Sequence, residues 1–391
     1  MKAVKKIAIT GNIILPDEVL VGGVVLIEGG TIAGVFYNDN ALPENDIEFR
    51  RCGDAWVAPG LIDVHLHGAA GREVMDASPE GLREIARHQA RCGVTGFMPA
   101  TLTAPIEGIL QTVQSIREAM DLPLESEILG VHLEGPFVSL ARKGAQNPNY
   151  IKVVERADID RLADAVSGLK TIITVAPEAG DNLSFISEMA GRGWVVSMGH
   201  TDATWQQGLL AIQAGVTHAT HLFNAWREFQ HREPGGIGAV MDSGDVYAEL
   251  IPDGIHVHPS FLRLAIARKG KDRICLITDS LKVAGLPDGT YPWGELEIVL
   301  TGREVRLKSS GVLAGSVLRL NQGVKNIIDW TGCEVWEAVN MASLNPARNL
   351  GLDGRIGSIA QGKAANLAVF DKDFNVIETW LGGKLVSTFR G

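Results

Sequence analysis

From Leu61 to Ser280 the chain alternates apolar runs of five to eight residues with longer stretches in which apolar positions recur every three or four. The runs are L-I-D-V-H-L-H (61–67), V-T-G-F-M-P-A-T (94–101), I-L-G-V-H-L-E (128–134) and T-I-I-T-V-A-P-E (171–178), then W-V-V-S-M-G-H (194–200), H-A-T-H-L-F-N (218–224), Y-A-E-L-I-P-D-G (247–254) and I-C-L-I-T-D-S (274–280). Near-continuous apolar runs are the mark of parallel strands buried on both faces. The stretches between them have helical period. Ser78 before Pro79 is a capping residue followed by proline at the first helical position, which predicts a helix to about Arg91. Further helices are expected near 105–120, 181–191, 204–214 and 259–269. Eight strands with intervening helices predict a (β/α)8 barrel of about 250 residues or more. An open doubly wound sheet is the alternative, but no G-x-G-x-x-G follows any run.

The texture differs at both ends. Residues 5–57 hold short β-type runs separated by glycines, such as V-V-L-I-E and T-I-A-G-V-F-Y around Gly29-Gly30, a pattern that favours antiparallel hairpins. From Gly354 on, A-N-L-A-V-F-D (365–371) and V-I-E-T-W-L-G-G-K-L-V (376–386) return to strand pattern, with Gly382-Gly383 as a turn signal. Neither piece is large enough to bury a core alone, so the C-terminal strands are expected to complete the N-terminal sheet. The expected division is 1–57 and 354–391 for the sheet and 58–353 for the barrel.

Composition narrows the function. Of 391 residues, 46% are hydrophobic and 21% charged, ordinary values for a soluble globular protein. A formal net charge of -10 argues against binding to nucleic acid or anionic membranes, both of which attract basic surfaces. The four cysteines, Cys52, Cys92, Cys275 and Cys333, have no C-x-x-C spacing, which fits a reducing compartment. The basic start (Lys2, Lys5, Lys6) precedes an apolar stretch broken by Thr10, Gly11 and Asn12, with no cleavage site of small residues. No run reaches the ~18 apolar residues of a membrane helix. The expected location is the cytoplasm.

Barrel enzymes carry their chemistry at the C-terminal ends of the strands. Those ends hold His65 and His67, then Glu134, His200, His221 and Asp279. Residues two apart on a strand share a face, so His65 and His67 can reach one ion together, although H-x-H alone also suits an exposed strand. Four of the ten histidines beside two acids at strand exits match the ligand set of one or two divalent transition ions. Asp279 is a ligand or a cap, and more specifically a carboxylate able to take a proton from an activated water and pass it to a leaving amine. His88 and His218 read as structural. His132, on the same strand face as Glu134, reads as a ligand or as a support for the ligands.

These residues resemble the N-acetylglucosamine-6-phosphate deacetylases of the amidohydrolase superfamily. The resemblance covers nearly the whole chain: P-G-L-I-D-V-H-L-H-G (59–68), H-L-E-G-P-F (132–137), K-G-A-Q (143–146), A-P-E (176–178), M-G-H-T-D-A (198–203), T-H-L-F-N-A (220–225), H-R-E-P-G (231–235), D-G-I-H (253–256), T-D-S (278–280) and L-A-G-S (313–316). It implies a barrel carrying a small β-sandwich built from both termini, and a homodimer. It implies that Glu134, His200 and His221 hold the principal ion, zinc or iron, with His65 and His67 helping to hold a second. Some members lack the H-x-H pair and use one ion. Sugar phosphate contacts are implied at Ala145, Gln146, Asn224, Ala225, Arg232, Asp253, Gly254, Ile255, His256, Leu313, Ala314 and Gly315, with Arg232 and His256 reaching the phosphate of a neighbouring subunit. A guanidinium forks onto phosphate oxygens, which suits Arg232. Gln146 stands where some members have His, and Trp226 where Met is usual, in a loop expected over the mouth. The implied reaction is removal of acetyl from an N-acetylated hexosamine 6-phosphate, with Asp279 moving the proton and His256 at the oxyanion or the phosphate. The galactosamine epimer and an inactive barrel used as a scaffold are the rival readings.

Overall fold

In a computed structural model, which describes residues 6–42 and 47–388, each of the eight apolar runs contains a strand. They are Leu61–Leu66, Val94–Pro99, Glu127–Ile128 continuing into Gly130–Glu134, Lys170–Val175, Val195–Met198, Val216–Ala219, Tyr247–Leu250 and Ile274–Leu276. Neighbours pair in parallel, in chain order. The ring closes where the Asp279 amide donates to the His65 carbonyl (2.9 Å) and the His67 amide to the Ser280 carbonyl (2.8 Å). The result is a closed parallel barrel of mixed α/β class.

The outer faces of the strands (Phe97, Val131, Leu133, Ile173, Val196) bury against a ring of helices. Pro79–Arg91 begins as expected, with the Ser78 hydroxyl accepting from the Gly81 amide at 3.1 Å. Ile106–Met120, Asn182–Gly191, Trp205–Ala214 and Pro259–Lys269 also lie where the periodicity places them. Arg156–Val166, Gly235–Asp242 and Leu320–Thr331 add helices in stretches where the sequence predicts none. Gly235–Asp242 contains three glycines, which masks its helical period.

The two ends of the chain form one seven-stranded sheet, ordered Lys384–Thr388, Val376–Leu381, Leu367–Phe370, Glu48–Pro59, Lys6–Ile14, Val19–Glu28, Thr31–Phe36. Antiparallel hairpins form at Gly29-Gly30 and Gly382-Gly383. Beside these hairpins, Glu48–Pro59 runs parallel to Lys6–Ile14. The chain must return from the edge strand Thr31–Phe36 across two strands before it pairs, and such a crossover delivers a strand in the same direction. The sheet curls until its hairpin turns meet: the Ala365 amide donates to the Gly30 carbonyl (2.9 Å) and the Gly383 amide to the Ala365 carbonyl (3.0 Å). Ile9, Val25, Ile27, Val57, Leu367 and Trp380 share the core inside this curl. Lys2 and Lys5, and the outermost residues of both sheet segments, lie outside the described residues.

One further element sits over the barrel mouth. After the eighth strand, Gly289–Trp293, Leu296–Thr301 and Glu304–Leu307 form an antiparallel sheet with its own small core of Val283, Trp293, Ile298 and Val305. Its turn residue Glu295 accepts hydrogen bonds from Asn147 Nδ2 (3.1 Å) and Tyr150 Oη (3.0 Å), tying the sheet to the loop after the third strand. Among the described residues no helix is long and apolar enough to cross a membrane.

Candidate metal centre and catalytic pocket

Three of the chemistry-bearing residues leave their strands in the left-handed region: His200 (φ 46), His221 (φ 27) and Asp279 (φ 50). Such conformations cost a non-glycine residue roughly 1–3 kcal/mol and persist where surrounding structure enforces them, commonly at functional sites. Here each turn swings a side chain from the strand end over the barrel axis. The enforcing contacts are visible at Asp279, whose amide and carbonyl bond His65 and Ser316 (2.9 and 2.8 Å).

Glu134 stands at the centre. Its Oε1 lies 2.9 Å from His221 Nε2, 3.3 Å from His200 Nε2 and 3.4 Å from His65 Nε2, while Oε2 lies 3.3 Å from His67 Nε2. Asp279 Oδ1 is 3.2 Å from His67 Nε2 and 3.7 Å from His65 Nε2. The six residues form two groups able to hold a metal ion, Glu134–His200–His221 and His65–His67–Asp279. All six are buried.

The far ring nitrogens decide whether an ion fits. His200 Nδ1 faces the Arg142 carbonyl (2.9 Å), His67 Nδ1 the Ala100 carbonyl (3.2 Å) and His65 Nδ1 the Glu249 carboxylate (2.9 Å). These oxygens only accept, so each Nδ1 carries a hydrogen, and each neutral ring turns an Nε2 lone pair toward carboxylate oxygens. The Nε2 lone pairs of these three rings converge on the oxygens of Glu134 and Asp279 and repel them unless a cation, a metal ion or a proton, sits between, which is the arrangement of a metal centre. The same field acts on protons. Burial opposes a charge on His67, yet the carboxylates of Asp279 and Glu134 outweigh it and raise the imidazole to about 9. Burial raises the Asp279 carboxyl, and the hydrogen bond from His67 with the charges of His65, His67 and His221 brings it below the usual carboxylate range.

His132 does not join the six. Its Nδ1 meets the Val64 carbonyl (3.2 Å) and its Nε2 the Thr174 hydroxyl (2.8 Å), so both nitrogens are spoken for. Burial, reinforced by His65, lowers it to about 3 and keeps it neutral. Two acids that the motif reading passed over lie inside the barrel. Asp63 accepts from the Thr278 hydroxyl (2.6 Å), and burial, only partly offset by that bond, raises its carboxyl to about 7. Glu249 contacts His65, His218 and the His221 amide. The available signal was a lone acid inside an otherwise apolar strand.

A cavity of about 190 Å³ opens beside the cluster. Of the expected substrate contacts, Ala145, Gln146, Asn224, Ala225, His256, Leu313 and Gly315 line it, together with Leu102, Leu281 and Trp293. Gln146 spans the floor, donating to Glu134 Oε2 (2.6 Å) and accepting from the Thr103 amide (2.8 Å). Asp253, Gly254 and Ile255 do not line it. Asp253 stands behind His256, its Oδ1 accepting from the Ile255 and His256 amides (both 2.8 Å) and its Oδ2 lying 2.6 Å from His256 Nδ1. Ala314 faces the small core of the mouth sheet instead. Arg232 lies exposed and outside this chain's cavity. Trp226 is not over the mouth: it is buried, with its indole N–H on the Thr220 carbonyl (3.0 Å), and acts as packing.

Residues 56–386 match the model of the Amidohydrolase family. The chain belongs to the amidohydrolase family. An N-acetylglucosamine-6-phosphate deacetylase of Bacillus subtilis (strain 168) is 37% identical to this amidohydrolase over 377 residues, 95% of each chain. An N-acetylgalactosamine-6-phosphate deacetylase of Escherichia coli O157:H7 is 37% identical over 362 residues, 92% of this chain and 94% of that one. Among solved structures, an N-acetyl-D-glucosamine-6-phosphate deacetylase D267A mutant from Mycobacterium smegmatis, in complex with N-acetyl-D-glucosamine-6-phosphate, superposes with a TM-score of 0.92 at 32% identity, over 98% of this amidohydrolase and 100% of that chain. The two buried ligand groups suit the divalent metal use of the superfamily.

Proposed function

We propose that this chain hydrolyses N-acetyl-D-glucosamine 6-phosphate to D-glucosamine 6-phosphate and acetate, using one or two divalent ions, zinc or iron. The observation that carries the reading is the sharing of Glu134 between the Glu134–His200–His221 and His65–His67–Asp279 groups at the floor of one sugar-sized cavity. A divalent ion there lowers the pKa of water and polarises an amide carbonyl. Asp279, ionised because His67 and the neighbouring histidines hold its carboxyl low, takes the water's proton and returns it to the sugar nitrogen as the C–N bond breaks. Leu102, Leu281 and Trp293 wall one side of the cavity with apolar surface. His256, oriented by Asp253, faces the same space and supplies a donor to the oxyanion or to phosphate.

Arg232, exposed in the single chain, serves the phosphate in a neighbouring subunit of a homodimer. Residues 58–353 act as the catalytic barrel, and 1–57 with 354–391 as the small β-sandwich. The four free cysteines suit the cytoplasm. Relatives named for the gluco epimer span bacteria and vertebrates, and the bound sugar in the mycobacterial structure is the gluco epimer. No feature of the pocket favours the galacto epimer named for the Escherichia coli relative.

An assay of acetate release from the two epimers, with and without chelator, tests this directly. Release from the gluco substrate that stops on chelation and returns with a divalent ion is expected. No release from it, or release indifferent to chelation, overturns the proposal.

A further inference from the structure

Glu249 is wholly buried in the seventh barrel strand, yet it touches neither the cavity nor the converging Nε2 atoms. Its carboxylate reaches both halves of the cluster from below. Oε2 accepts from His65 Nδ1 and from the His221 backbone amide, each at 2.9 Å, and Oε1 accepts from His218 Nε2 at 2.9 Å. His218 is held in turn, because its Nδ1 accepts from Asn349 Nδ2 at 2.8 Å. Both oxygens of this carboxylate are therefore engaged, through three hydrogen bonds, and a buried charge so held is fixed in place.

We infer that Glu249 is a positioning residue that fixes the His65 ring and the His221 turn together, and so builds the His65–His67–Asp279 ion position beside the Glu134–His200–His221 one. The inference rests on the two-ion form of the proposed function. Two consequences follow from the contacts. A proton held at His65 Nδ1 by the carboxylate leaves Nε2 as the ligand atom and makes the ring a stronger donor, as carboxylates behind metal-bound histidines do. The bond to the His221 amide pins a residue whose left-handed backbone would otherwise relax and withdraw Nε2 from Glu134. His218 and Asn349, on this view, exist to hold Glu249 rather than to meet any ligand.

Glu249→Gln is the informative change, because it keeps the volume and lets the amide oxygen still accept from His65 while the charge is lost. His218 can shift its proton to Nδ1, and the Asn349 amide can turn to accept it. Glu249→Ala removes all the contacts. The readouts are ion content per chain, chelator competition for each ion, and the melting temperature of the ion-free proteins. The parent is expected to hold two ions of distinct affinity. Glu249→Gln should keep the tighter ion and hold the weaker about 10–100-fold less tightly, the usual effect of losing a group behind a metal ligand, with an ion-free melting temperature close to the parent's. Glu249→Ala should lose the weaker ion altogether and, with the His221 turn released, hold the tighter one less firmly than Glu249→Gln does. If both variants hold two ions with parental affinity, or only the ion-free melting temperature falls, Glu249 is merely structural and the role is overturned. A parent that holds fewer than two ions overturns the two-ion reading, and this role with it.

Discussion

Replacing Asp279 by Asn separates proton transfer from folding and from the principal ion. Asn matches Asp in shape and is, like Asp, among the residues that tolerate a left-handed backbone, so φ 50 and the bonds to His65 and Ser316 survive. The Glu134–His200–His221 group does not include the altered residue. What goes is the negative charge 3.2 Å from His67 Nε2 and the capacity to accept a proton. A positioned general base is worth about 10²- to 10⁴-fold, and at about 1.4 kcal/mol per decade the barrier should rise by roughly 3–5 kcal/mol. The assay is steady-state acetate release, with ion content and melting temperature measured on the same preparations. kcat should fall by about 10²- to 10⁴-fold while KM changes little and the tighter ion stays. A kcat within about tenfold of the parent would refute the proton-transfer argument.

Elsewhere, burial and the nearby Arg319 and Arg91 lower His88 to about 4, so acid protonates the unfolded chain first, near 6.5, and stability present above that value is lost as pH falls toward 4. Denaturant titrations at pH 7 and 5 should show the parent losing on the order of 1–2 kcal/mol more than His88→Gln; equal losses would contradict the assignment. Gly130→Ala would place a methyl 2.0 Å from the Lys170 carbonyl oxygen, within a paired barrel strand, and should cost about 1–3 kcal/mol of stability, read as a lower urea midpoint at constant m-value. Gln146→Leu removes the donor to Glu134 and strands the Thr103 amide; chelator competition should show the ion at Glu134 held about 10–100-fold less tightly, and unaltered competition would show that Gln146 does not steady that carboxylate.

The barrel was legible because parallel strands covered on both faces must be apolar along their length, so polar residues at their ends stand out. That contrast exposed His65, His67, Glu134, His200, His221 and Asp279 together. It left Glu249 and Asp63 unassigned, since an acid inside an apolar run signals something buried but names no role until the fold supplies partners as distant in sequence as His65 and Thr278. His132 has the right face and the wrong neighbours, Val64 and Thr174, which spacing alone does not reveal. The mouth sheet escaped because its strands are half exposed and Pro292 interrupts the first of them. Trp226 lies in a connection read as a mouth loop, but the chain folds back there and carries the indole under the Thr220 carbonyl.

The central claim is that strand-end residues from across the barrel share a cation. Crystals of the active chain measured at the absorption edge of the metal found in solution test it most directly. An anomalous peak within about 2.0–2.2 Å of Glu134, His200 Nε2 and His221 Nε2, lost together with acetate release on chelation, is the predicted result. Fully active crystals with no such peak among these three residues would contradict the account.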